Sequence, residues 1–137
     1  MICYIDSSAV LRTLFGDKDS FDSWKQIQEG ISSYLLVVEC HRVIDRYRLE
    51  QKISDQELSE LKKNLTQFLK VLKLFSLDER VLKRAAGSFP TVIGTLDAVH
   101  LSTALFWQEE NLTRKLVILT HDQQLITAAS AVGIEAV

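Results

Sequence analysis

The chain has 137 residues, 47% of them hydrophobic and 25% charged, with a formal net charge of −2. That length suits one domain, residues 1–137, burying roughly two-thirds of its unfolded surface. The composition excludes disordered and fibrous classes, and the charge excludes a strongly basic, phosphate-coating mode of nucleic-acid binding while leaving room for a local basic rim.

No apolar run approaches the ~18 residues of a membrane span. The N-terminal apolar run stops at Asp6 with no basic stretch before it, so no signal peptide and no membrane partner are expected, and the expected location is cytoplasmic. Cys3 and Cys40 sit in apolar runs without zinc-like spacing and are read as buried, reduced thiols.

Ile2-Cys3-Tyr4-Ile5 followed by Asp6-Ser7-Ser8 reads as a buried strand, a polar turn and the start of a helix. Gly16–Ser20 reads as a loop and cap. The next helix carries Phe21, Trp24 and Ile27 and is closed by Gly30. Ile31–Tyr34 is a short strand or turn leading into a helix that begins Leu35-Leu36-Val37-Val38-Glu39 and turns basic by Arg46-Tyr47-Arg48. Ser54 and Glu57 form a capping box. Behind it Leu58, Leu61, Leu65, Phe68 and Leu72 make an amphipathic stripe, a candidate for pairing with a neighbouring helix or a second subunit. Leu72–Leu77 is read as a strand, and Asp78 as the cap of a helix stopped by Gly87. The segment from Thr95 to Trp107 is apolar nearly all round, as in a buried helix. Leu116–Thr120 is the clearest strand, a last helix opens at Asp122, and Ile134–Val137 is a final short strand. The order β-α-α-β-α-α-β-α-α-β-α-β implies an α/β sandwich around a mostly parallel sheet.

In such sheets ligands gather beyond the carboxyl ends of the strands, where Asp6 would sit. Asp6 and Asp122 each follow a strand and open a helix, so each is also a good N-cap. Glu39, on the buried start of its helix, and Asp97, in the first turn of the most apolar helix, are harder to account for structurally. A helix N-terminus favours a carboxylate by about 0.3–1 kcal/mol, small beside the several kcal/mol of burying an unpaired charge. An ion pair from Glu39 to Arg42 is the plain alternative. A divalent cation gives all four acids one cause, and hard oxygen donors suit Mg2+ or Mn2+. Ser7 and Thr120, beside Asp6 and Asp122, are placed to orient ligands or water. Arg42 and Arg46 are candidates to hold a phosphate backbone by charge. His41, His100 and His121 each adjoin a proposed acid but lack a paired metal-ligand spacing.

Asp6 after the first strand, Glu39-x-x-Arg42, the run Leu96-Asp97-Ala98-x-His100-Leu101-x-Thr103-Ala104 and the pair Thr120-x-Asp122 together resemble the PIN domain. More closely, they resemble the VapC-type ribonuclease toxins of prokaryotic toxin–antitoxin systems. The resemblance spans the whole chain, with the Asp97 segment its most specific part. It implies a three-layer α/β/α sandwich with a five-stranded parallel sheet. It implies an acidic quartet, Asp6, Glu39, Asp97 and Asp122, holding Mg2+ or Mn2+, with Thr120 as hydroxyl partner, and hydrolysis of RNA phosphodiesters by a metal-activated water. An antitoxin protein and a homodimer are the implied partners, the latter through the Leu58–Leu72 stripe. Two rivals stand beside it. One is the same fold serving as a binding or assembly module without catalysis. The other is phosphoryl transfer to Asp6, although Ser8 and Val10 stand where a phosphatase of that kind would carry its second acid and hydroxyl.

Overall fold

The structure, a computed structural model, describes residues 1–17 and 22–137. Phe21 and the expected cap over 18–20 lie outside the described residues. Strands β1 (Ile2–Ile5), β2 (Glu29–Ser33), β3 (Leu72–Phe75), β4 (Leu116–Leu119) and β5 (Glu135–Ala136) form one sheet in the order β3-β2-β1-β4-β5. Every pairing is parallel. The helices are α1 (Ser7–Leu14), α2 (Tyr34–Leu49), α3 (Asp55–Lys70), α4 (Glu79–Ala85), α5 (Thr95–Glu110) and α6 (Gln123–Ala131), with a short 3₁₀ helix at Asp22–Gln26.

Period-two alternation along the strands divides the interior into two cores. Cys3 and Ile5 of β1, with Val117 and Leu119 of β4, face Val10, Leu36, Cys40, Ile44 and Leu65, on α1, α2 and α3. Tyr4, Leu116 and Ile118 face the other way, onto Leu101, Ala104, Trp107, Leu125 and Ala128 of α5 and α6. The result is the expected three-layer sandwich, with both sheet faces covered, which is why the strands read as unbroken apolar runs. Both cysteines are free and buried. Burial pushes the Cys3 thiol up to about 11 and the Cys40 thiol up to about 12, the nearby Glu39 and Asp6 charges adding to the latter, so both stay protonated.

Three local expectations change. Gly30 lies inside β2 and closes no helix: a Cβ there would stand 2.6 Å from Leu72 Cδ2 and 3.0 Å from Ile5 Cδ1, so a side chain would crowd the contact with β3. Trp24 lies in a short 3₁₀ stretch and Ile27 just beyond it, rather than on an amphipathic α-helix; both side chains pack on the first core, Trp24 edge-on to Phe68 at 5.2 Å. The Leu58–Leu72 stripe is not a free dimer face. Leu61 and Leu65 are buried, Leu58 and Phe68 pack against the same core, and Leu72 has left the helix for β3. The capping box is present, with Ser54 N–H donating to Glu57 Oε2 at 2.7 Å and Glu57 N–H to Ser54 Oγ at 3.2 Å.

Candidate active site

The chain reverses its direction of travel across the sheet between β1 and β4, and such a switch point opens a crevice at the strands' carboxyl ends. Asp6 follows β1 and Asp122 follows β4, so both stand at that crevice. Glu39 comes from the second turn of α2, which starts where β2 stops, and Asp97 from the first turn of α5. Asp6, Glu39, Asp97 and Asp122 line one cleft of about 370 Å³, together with Ser7, Ser8, Gly94, Thr95 and Leu96. The loop before α5 is tied to α6, since Gly94 N–H donates to Gln124 Oε1 at 2.9 Å.

Asp6 divides its two oxygens between structure and cleft. Oδ2 accepts from the Ser8 N–H at 3.2 Å, from the Ser8 hydroxyl and from Thr120 Oγ1 at 2.8 Å. Oδ1 stands 3.6 Å from His100 Nε2. Asp6 therefore both caps α1 and lines the cleft. Thr120 Oγ1 also accepts the Asp122 N–H at 3.0 Å, linking two of the acids through one hydroxyl. The serine that does this work is Ser8, not Ser7. The N-cap geometry brings the residue two positions on back toward the Asp6 carboxylate, and Ser8 Oγ also accepts the His121 N–H at 2.9 Å. Ser7, nearly buried, lines the cleft.

Glu39 is not paired with Arg42, which turns to Asp45 at 2.7 Å. Its partner is His100, whose Nε2 lies 2.6 Å from Glu39 Oε2 and whose Nδ1 lies 2.8 Å from the Tyr4 hydroxyl. His100 is fully buried. Burial disfavours its charged form; the Tyr4 oxygen, the Glu39 hydrogen bond and the Asp6 charge favour it and prevail, pushing the pKa up to about 10. Sequence reasoning passed over this histidine because its carboxylate partner lies 61 residues away. The available signal was a polar ring in a helix apolar on every side, since a buried imidazole needs partners.

Asp97 shows what the cluster does to a carboxyl group. Burial raises its pKa first, then the charges of Asp122, Asp6 and Glu39, with His100 pulling the other way; the result is about 6. The positive end of α5 favours the carboxylate by about 0.3–1 kcal/mol, so burial and the neighbouring acids outweigh it. Asp122 caps α6 through Oδ1, which accepts the Gln124 N–H at 2.7 Å and the Leu125 N–H at 3.1 Å.

Among the described residues no lysine or arginine forms an ion pair with any of the four acids. Arg46 is exposed and lies seven residues beyond Glu39, on the same side of α2 about 10 Å along its axis. His41 is exposed and bonded to its own helix at Val37 O. One ligand atom each from Asp6, Glu39 and His100 lies within 4.8 Å of the others, close enough to share an ion. Oxygen-rich, net-negative and partly buried, the donor set fits a hard divalent cation.

No curated protein matches this sequence. Among solved structures, the fold resembles that of a chain in VapBC2 from Rickettsia felis, bound to a DNA fragment from its promoter. The TM-score is 0.68 at 14% sequence identity, over 100% of this chain and 98% of that one. The family model of the PIN domain matches residues 3–130, nearly the whole length that builds the sheet and carries all four acids, and the chain therefore belongs to the PIN domain family.

Proposed function

We propose that this protein is a Mg2+- or Mn2+-dependent endoribonuclease, the toxin of a type II toxin–antitoxin system. Membership of the PIN family supports a nuclease in general. The observation that carries the finer reading is the convergence of four acids, from segments up to 116 positions apart, on one cleft without a lysine or arginine ion pair among the described residues. Asp6, Glu39, Asp97 and Asp122 would hold the cation. Bound there, it would supply charge neutralisation at a phosphodiester and acidify water for attack. The chain's own residues do the positioning. Thr120 and Ser8 immobilise Asp6 Oδ2, and the α6 N-terminus fixes Asp122 by its backbone amides. Arg46 lies on the Glu39 side of α2, where a phosphate backbone crossing the cleft would be met by positive charge. Arg42 is less available, being engaged by Asp45.

The fold likeness to a chain of a VapBC2 complex supports an antitoxin as partner. A homodimer remains part of this reading, through a face other than the inward-turned Leu58–Leu72 stripe, and sedimentation of the full chain tests it. No described helix is long and apolar enough to cross a membrane, in keeping with the proposed cytoplasmic location. The test of activity is incubation with total cellular RNA, with and without Mn2+, and mapping of new 5′ ends. Discrete Mn2+-dependent cuts are expected; intact RNA under both conditions rejects the reading.

One observation favours the second reading, a binding module without catalysis. His100 gives Glu39 and Asp6 an internal counter-charge, which would let the cleft hold its shape with no cation. Thermal melting decides between them, because a non-catalytic cleft of this kind gains no stability from Mg2+ or Mn2+.

A further inference from the structure

We infer that His100 is a positioning residue that fixes the Glu39 carboxylate for cation binding, with Tyr4 holding the imidazole from behind. The inference rests on the reading that the four acids hold a divalent ion. Glu39 and His100 belong to opposite layers. Leu36, Cys40 and Ile44 of α2 pack on one sheet face, whereas Leu101 and Ala104 of α5 pack on the other. The 2.6 Å contact between His100 Nε2 and Glu39 Oε2 therefore crosses the carboxyl rim of the sheet and joins the two layers at the cleft. A glutamate has three side-chain torsions, and α2 alone anchors only its Cα. Holding the carboxylate at the rim takes a second fixed point. His100 is well suited to supply it, being fully buried and gripped at both ring nitrogens.

The direction of the hydrogen bond follows from what faces each nitrogen. Nε2 looks onto Glu39 Oε2 at 2.6 Å and Asp6 Oδ1 at 3.6 Å, so a bare lone pair there would oppose two carboxylates. Nε2 therefore carries the proton and donates to Glu39. Nδ1 then either accepts the Tyr4 hydroxyl or donates to it, and the 2.8 Å geometry serves both. With Oε2 held by the ring, the carboxylate has a fixed orientation and still has lone pairs for a cation in the cleft. Tyr4 lies on β1 two residues before Asp6, so one stretch of chain supplies both the ring's support and the first acid.

The experiment compares the wild-type protein with His100→Leu, His100→Gln and Tyr4→Phe, measuring Mg2+ and Mn2+ affinity by calorimetry and the melting temperature without metal. Loss of an outer hydrogen-bond partner typically weakens metal binding by about 10- to 100-fold. That loss is expected in His100→Leu for both ions alike. His100→Gln, whose amide N–H can still reach Glu39, should stay near wild type. Tyr4→Phe should fall between, since it removes one hydroxyl and keeps the ring. A folded His100→Leu with wild-type affinity overturns the inference. So does a loss confined to Mn2+ that glutamine fails to rescue, which would make His100 a ligand in its own right. If His100→Leu does not fold, unchanged affinity in Tyr4→Phe overturns it equally. A wild-type protein that binds neither ion removes the metal reading itself, and this inference with it; wild-type binding with indifferent variants removes the inference alone.

Discussion

The two ends of the sheet treat their acids in opposite ways. At the amino end Glu29, on β2, is clamped between Lys73 at 2.7 Å and Arg114, and these hydrogen bonds hold its carboxyl below the usual range. Further along the sheet Lys115 pairs with Glu135, on β5. At the carboxyl end four acids share a cleft, their one nearby cationic partner among the described residues is a buried histidine, and Asp97 is pushed the other way, up to about 6. The same residue type is thus neutralised by exposed bases at one rim and left in a cluster at the other. A fold seeking only stability would treat both rims like the first. The carboxyl rim keeps a cluster of acids that no exposed base neutralises among the described residues, and that contrast is what the proposed cation site rests on.

The sharpest way to break the contrast is to remove charge at the cleft. Asp6→Asn or Asp97→Asn should lower Mn2+-dependent RNA cleavage by roughly 10²–10³-fold or more while the circular dichroism spectrum stays native. Cleavage by a homogeneous mutant at the wild-type rate would sink the assignment.

Next in size is Asp122→Ser, which keeps a good N-cap and deletes the carboxylate. Stability should fall by less than about 1 kcal/mol, in urea unfolding without metal, because serine caps nearly as well as aspartate. Binding of Mn2+, read by calorimetry, should fall tenfold or more if Asp122 is a ligand as well as a cap. Equal, small losses in both assays would make it a cap alone.

The third test uses pH. A carboxyl whose folded pKa is about 6, against an ordinary value of 3.8, binds more protons folded than unfolded across that window. The Asp97 contribution to stability without metal should therefore fall as pH rises from about 4 through 6, then level off once its carboxyl is ionised in both states. Asp97→Asn should lose that fall, so the two melting curves diverge below pH 6 and run parallel above 7. Saturating Mn2+ at pH 7 should raise the wild-type melting temperature and do much less for Asp97→Asn. Curves parallel throughout would show that Asp97 does not feel its neighbours.

The smallest expected effect lies at the other rim. Glu29→Gln leaves Lys73 and Arg114 exposed to water, so cleavage and Mn2+ affinity should be unchanged. A loss of metal affinity there would mean that charge anywhere on the sheet matters, and the contrast between the rims would collapse.

The sequence alone disclosed most of the framework. Unbroken apolar runs at Ile2–Ile5 and Leu116–Leu119 marked strands covered on both faces, and Ser54 with Glu57 marked the start of α3. Asp78 was legible as a cap because its job is local: it accepts the Val81 N–H at 2.9 Å. Where the reading went astray, the cause was a distant partner. Gly30 looked like a helix stop until Leu72, 42 positions on, closed against it. The Leu58–Leu72 stripe looked available until the first core claimed it.

For the cleft, the sequence determined which acids had no local excuse, because helix capping and neighbouring ion pairs act within a few residues and can be checked along the chain. Tertiary structure alone decided what surrounds them. It turned Arg42 to Asp45, gave Asp6 to Ser8 and Thr120, and placed Glu39 against a histidine on the opposite layer. Those choices depend on the crossing of layers at the rim of a parallel sheet, where hydrogen bonds form between side chains whose separation in the chain carries no signal of their meeting.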